Sequence, residues 1–234
     1  MAEPTRYVAP VVVARAPATG GGEVVLRLRR GARGPGRDTY ELIVDGVFAM
    51  DTVNVSTELR LASETIRRLT GTGWQVLVGG LGLGYTLREL LADQRVARVD
   101  IVEVEPALVD WIRGGLVGPA RGLLDDARAN VIVGDVATQL RDRPPATYDA
   151  VLLDVDNGPD FLVHQSNSAL YDEPALRLAV RALRPGGRLA IWSAAASPGL
   201  EERRRVVAGP LEVVTLSVRR EGRQLDYVLY LAAP

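Results

Sequence analysis

The chain has no cysteine and a single histidine, and all 28 of its basic residues are arginine, leaving no lysine. Without cysteine there is no disulfide, no thiolate nucleophile and no Cys-bound metal. Without lysine there is no Schiff-base chemistry and no Walker-type phosphate loop. One imidazole, His164, excludes a His-rich metal centre, and no motif supports a carboxylate-only one, so no metal is expected. No apolar run reaches the ~18–20 residues of a membrane span, so no membrane partner is expected. The N-terminus lacks a basic segment followed by an apolar core, which predicts no signal peptide and a cytoplasmic location. The net charge of −1 gives no basic excess for nucleic acid. The arginine clusters at Arg27–Arg30 and Arg203–Arg205 read as solvated faces.

The 234 residues, 47% of them apolar, suffice for one α/β domain and a small extra module. Residues 1–22 read as a mobile arm with one short β-like run, Tyr7 to Val13. Alternating segments follow at Glu23 to Arg30 and Tyr40 to Val44. Asp45-Gly46 is a hairpin signal, with Val47 to Met50 returning. Residues 1–55 are therefore expected to form an N-terminal arm and a small antiparallel β module. From Ser56 the apolar period becomes helical through Leu69, and strands then alternate with helices. Strands are expected at Trp74–Val78, Val99–Val102, Ala129–Val133, Tyr148–Leu153 and Arg188–Ser193. Residues 56–234 are predicted to be a Rossmann-like α/β domain, a mostly parallel seven-stranded sheet closed by an antiparallel hairpin at Leu211–Ala232.

The richest stretch runs from Val76 to Glu105. A strand enters the turn Gly79-Gly80-Leu81-Gly82-Leu83-Gly84, a helix follows, and a second strand ends in Glu103-Val104-Glu105. Glycine allows backbone to approach a ligand closely, and the helix beginning near Gly84 points N–H groups towards it. Glu103 lies 21 residues after Gly82, the usual reach from such a turn to an acid that holds ribose hydroxyls. The turn lacks the Gly-x-Gly-x-x-Gly spacing of dinucleotide sites. Gly134-Asp135-Val136 places a carboxylate past the third strand, where it can accept from the amino group of adenine or cap a helix.

Together these segments resemble the S-adenosylmethionine-dependent methyltransferase superfamily, and more narrowly the spermidine-synthase-like family within it. Gly79–Glu89 resembles that family's glycine motif followed by Thr-Leu-Arg-Glu. Val102-Glu103-Val104-Glu105 resembles its ribose-binding motif, and Gly134-Asp135 its adenine-binding one. Tyr148–Asp154 resembles the fourth strand, with Asp154 at the position of the catalytic aspartate. Leu42–Val47 resembles the N-terminal hairpin. Thr57-Glu58-Leu59 resembles its helix start, but Ser56 and Thr57 replace the family's residues before the glutamate that help bind the polyamine. The resemblance implies an S-adenosyl-L-methionine or decarboxylated S-adenosylmethionine site built from Gly80, Gly82, Leu83, Gly84, Glu103, Val104, Asp135, Val136 and Asp154. It also implies a homodimer.

Asp154, Asp156 and His164 are the candidate catalytic residues, since each can orient an acceptor or take its proton. Glu58, Asn157 and Tyr171 are candidates for the acceptor pocket. Trp192 and Trp111 read as core aromatics. Leu83 stands where the family has an aspartate that contacts the donor's amino end, and a leucine cannot hold an ammonium. The first functional expectation is therefore a methyltransferase acting on an amine or hydroxyl of a small molecule. The alternative is aminopropyl transfer from the decarboxylated donor. A second alternative is a non-catalytic nucleoside-binding or assembly protein.

Overall fold

The computed structural model of the protein describes residues 9–31, 38–155, 157, 158, 162, 165–220 and 223–234. The chain opens with four antiparallel strands in the order β1-β2-β3-β4: β1 (Val11–Pro17), β2 (Glu23–Arg29), β3 (Thr39–Val44) and β4 (Val47–Asp51). Asp45 and Gly46 join β3 to β4 with φ of 48° and 74°. Both central residues at positive φ is the two-residue hairpin geometry that follows the twist of paired strands.

Helix α1 (Ser56–Ile66) leads into the second sheet. Its parts are β5 (Trp74–Gly79), α2 (Tyr85–Ala92), β6 (Val96–Glu103), α3 (Pro106–Arg113), β7 (Ala129–Val133), α4 (Val136–Asp142), β8 (Tyr148–Leu153), α5 (Glu173–Ala182), β9 (Leu183–Ser193), α6 (Pro198–Ala208), β10 (Leu211–Arg220) and β11 (Arg223–Ala232). The seven strands lie in the order β10-β11-β9-β8-β5-β6-β7. β5 to β9 are mutually parallel, and β11 runs antiparallel to both β9 and β10. This is the expected α/β fold with its closing hairpin. Residues 221 and 222, between the two strands of that hairpin, lie outside the described residues.

The central strands are apolar on both faces because both are covered. Val76, Val78, Ala150 and Leu152 face one core with Leu61 of α1 and Leu87 of α2. Leu77, Val151 and Leu153 face the other, with Leu140 of α4 and Leu176 of α5. Val24, Leu26, Leu42 and Val44 of the small sheet join the first core, so the two sheets share apolar packing.

Three local expectations change. The β-like run read at Tyr7 to Val13 is a strand over Val11–Pro17, which extends further towards the C-terminus and pairs with β2. The first helix ends at Ile66, short of Leu69. The strand expected at Arg188–Ser193 begins earlier, at Leu183, so that Arg184-Pro-Gly-Gly187, a sequence with the chemistry of a turn, lies within β9. Between its pairings with Leu183 and Arg188, β9 advances five residues while β8 advances two, from Tyr148 to Ala150. The surplus bulges outward, and the Arg188 guanidinium donates to the Gly186 and Gly187 carbonyls at 2.8 and 2.9 Å. Backbone pairing outside the bulge carries the strand through residues whose local chemistry favours a turn.

Candidate active site

A cleft with a cavity volume of about 130 Å³ opens at the carboxyl ends of β5 to β9. β5 and β8 are neighbours whose connections depart in opposite directions, and the crevice at such a switch point is where open α/β sheets bind ligands. A second lobe adjoins it, lined by Asp51, Asn54, Thr57 and Tyr227 among others. Met50, Glu58, Asn157 and Trp192 line both lobes.

In the first lobe, Glu103 ends β6 and is buried. Its Oε2 accepts from Leu81 N at 2.8 Å and its Oε1 from Glu105 N at 2.9 Å. Burial raises its pKa, with Glu105 adding to the rise and the backbone donors opposing it. One carboxylate thus braces both the glycine turn and the segment after β6. Asp135 caps α4, accepting from Thr138 N at 2.7 Å, and also lines the lobe. The two roles anticipated for this residue are geometrically compatible.

Asp154 follows β8, and its backbone N–H donates to the Gly79 carbonyl at 2.8 Å. Its carboxyl is pushed up to about 7, first by burial and then by the Glu58 charge, against a lowering hydrogen bond from Thr86. Glu58, in the first turn of α1, accepts from the Thr57 hydroxyl at 2.7 Å. Asn157 ties the loop after β8 to the small sheet, donating from Nδ2 to Phe48 O at 3.2 Å.

The glycine turn owes its composition to protein neighbours. A Cβ on Gly80, where φ is +92°, would lie 2.2 Å from Asp154 O. On Gly82 it would meet Met50 Sδ at 2.8 Å. Within the chain itself, Asp154 and Met50 already leave no room for a side chain at these two positions.

Gly80, Gly82, Glu103, Val104, Asp135, Val136 and Asp154 come together in the first lobe, and Glu58 and Asn157 face both lobes. Leu83 and Gly84 are not among the lining residues, and the Leu83 side chain is 1% exposed within the core. Tyr171 is likewise in the core, not on the cleft, and its hydroxyl donates to Val155 O at 2.8 Å beneath the loop after β8. Asp156 and His164 lie outside the described residues. Among the described residues no group of three or more His, Asp or Glu could hold a metal, and no helix is long and apolar enough to cross a membrane.

Sequence reasoning missed four contributors. Trp192, read as core, lines both lobes and stacks tilted on Tyr227 at 5.4 Å between centroids. Met50 rests on the glycine turn, Glu105 lines the first lobe, and Thr86 reaches Asp154. Thr86 and Glu105 sit inside motifs already singled out, so a signal existed for them. Met50 comes from the other sheet and carried none.

Residues 42–203 match the model of the spermine/spermidine synthase domain. A polyamine aminopropyltransferase of Mycobacterium tuberculosis (strain ATCC 25618 / H37Rv) is 37% identical over 118 residues, 50% of this chain and 22% of that protein. Polyamine aminopropyltransferase 2 of Pseudomonas aeruginosa is 37% identical over 162 residues, 66% of this chain and 44% of that protein. The matched stretches thus cover less than half of these relatives' length. A solved spermidine synthase in complex with the transition-state analogue AdoDATO superposes with a TM-score of 0.78 at 18% identity, covering 95% of this chain and 73% of that one.

These matches overturn the expectation of an S-adenosylmethionine-dependent methyltransferase, because the relatives are aminopropyltransferases. The physical reason for the error is Leu83. Its side chain is turned into the core and so says nothing about which donor tail the cleft accepts. The chain belongs to the spermine/spermidine synthase family.

Proposed function

We propose that this protein transfers an aminopropyl group from decarboxylated S-adenosylmethionine to an amine of a small polyamine-type acceptor. The sulfonium of that donor makes its aminopropyl carbon electrophilic, and loss of the C–S bond returns the electron pair to sulfur and leaves 5′-methylthioadenosine. Glu103 is assigned to the ribose hydroxyls and Asp135 to the adenine amino group. Gly80, Gly82, Val104 and Val136 shape the walls of the nucleoside lobe.

The observation that carries this reading is the place of Asp154, which lines the nucleoside lobe with Glu58, a residue that lines both lobes, and accepts from the Thr86 hydroxyl, with its pKa pushed up to about 7. An acceptor amine is mostly protonated in water and must lose a proton to attack carbon. A carboxylate whose affinity for protons is raised to about 7 is suited to take it. Glu58, beside it, and Asp51 in the second lobe favour a cationic acceptor over a neutral one. Trp192 and Tyr227 add aromatic rings to the lining of that second lobe, where a cation can rest on them. A homodimer in the cytoplasm belongs to this reading, with light scattering as the check on assembly.

The test is incubation with the decarboxylated donor and a series of α,ω-diamines, followed by mass spectrometry for 5′-methylthioadenosine and the aminopropylated amine. Both products should form together and both should vanish in Asp154→Asn. Absence of both with every diamine refutes the reading, as does unchanged turnover in the variant.

A further inference from the structure

The small sheet reaches the nucleoside lobe through a contact made across 86 residues of sequence. Thr19 lies in the turn between β1 and β2. Its backbone N–H stands 3.1 Å from both carboxylate oxygens of Glu105. Its hydroxyl is 2.8 Å from the Val104 carbonyl and 3.2 Å from Glu105 Oε2. The turn is itself braced, with Ala18 N donating to Gly22 O and Gly21 N to Ala18 O. Glu105 is 2% exposed, and its own N–H donates to Glu103 Oε1. Val104 and Glu105 line the lobe immediately after the ribose acid, and Thr19 does not line it. Val24 and Val44 of the same small sheet form part of the facing wall.

We infer that the β1–β2 turn latches the nucleoside lobe, with Thr19 as a positioning residue that holds Val104 and Glu105 in place beside the bound nucleoside. The inference rests on the proposed reading of this lobe. A two-residue segment between a strand end and α3 has few restraints of its own. Thr19 supplies one to its main chain and one to its buried side chain, so the segment is set before ligand arrives. Preorganisation of this kind strengthens binding by removing the ordering cost. It acts on the nucleoside and leaves the acceptor lobe and the proton-transfer groups untouched.

The experiment is calorimetric titration of the full chain and two variants with 5′-methylthioadenosine. Thr19→Val preserves size and branching and removes the hydroxyl, while Thr19→Ser keeps the hydroxyl. Affinity should fall roughly three- to tenfold in T19V, the usual consequence of one lost hydrogen bond, and return to near the parent value in T19S. In steady state, T19V should raise KM for the donor and leave kcat and the acceptor KM unchanged. A T19V protein that binds the nucleoside as the parent does overturns the latch alone. So does a T19S protein as weak as T19V, or a T19V protein whose acceptor KM rises equally. A parent that does not bind the nucleoside overturns the reading of the lobe and the latch with it.

Discussion

The hydroxyl of Thr86, in the first turn of α2, donates to Asp154 Oδ2 at 2.5 Å. It joins the glycine turn's helix to the end of β8 at the carboxyl assigned above to proton transfer. Two neighbours pull that carboxyl in opposite directions: the Glu58 charge raises its pKa and the Thr86 hydrogen bond lowers it.

The pH dependence of turnover follows from that opposition. Activity should rise as Asp154 ionises, with the rise centred near pH 7, where burial and the Glu58 charge push its pKa. Thr86→Val removes a bond that favours the carboxylate and should move the rise to higher pH. Glu58→Gln removes a repelling charge and should move it to lower pH. Profiles of kcat against pH for the three proteins decide the matter, and shifts in the same direction would contradict this assignment.

Asp154 also links pH to stability. Its folded pKa lies above the unfolded value of ~3.9, so the folded chain retains a proton that the unfolded chain releases. Its favourable contribution is complete below about pH 4 and is lost as pH rises through about 7. Asp154→Asn cannot ionise and escapes that loss. Its melting temperature relative to the parent should therefore increase from pH 4 to pH 7 and then level off. A difference that is flat across this range would remove the buried, raised carboxyl from the account.

Glu103 holds the glycine turn and, by assignment, the ribose. Glu103→Ala should weaken binding of 5′-methylthioadenosine by at least ~1.4 kcal/mol, since a hydrogen bond to a charged group is typically worth ~1.5–3 kcal/mol. The variant should also melt earlier, because the N–H groups of Leu81 and Glu105 lose their acceptor. An unchanged dissociation constant would refute the role in binding.

Two glycines at similar positive φ separate backbone strain from steric approach. Gly186→Ala places a Cβ in open space at φ +80°, so only strain applies, about 1 kcal/mol. Gly80→Ala adds a collision with Asp154 O. It should cost at least ~2 kcal/mol more and reduce activity by displacing Asp154. Denaturant unfolding of both variants tests this, and equal losses would show that crowding at Gly80 is relieved by a small shift.

Much of the fold was legible because its signals are local. Val76-Leu77-Val78 reads as a doubly covered strand, Asp45-Gly46 as a hairpin, and the spacing of Gly82 and Glu103 as one β-α-β unit. The grouping of Gly80, Glu103 and Asp135 in one lobe followed, since they occupy the carboxyl ends of successive strands. What stayed hidden depends on partners distant in sequence. The strand at Val11–Pro17 exists through pairing with β2, and the Pro185-Gly186-Gly187 segment is carried within β9 by pairing on either side of a bulge.

Sequence by itself determined the doubly wound scaffold and the acids at its strand ends, because periodicity and turn chemistry are written in neighbouring residues. Only the tertiary structure decided which way Leu83 faces, that Trp192 lines both lobes, that Thr86 and Glu58 bear on Asp154, and that Thr19 reaches Glu105. Those relations depend on which side chains meet after the sheets pack, and residues 86 positions apart carry no local mark of their meeting.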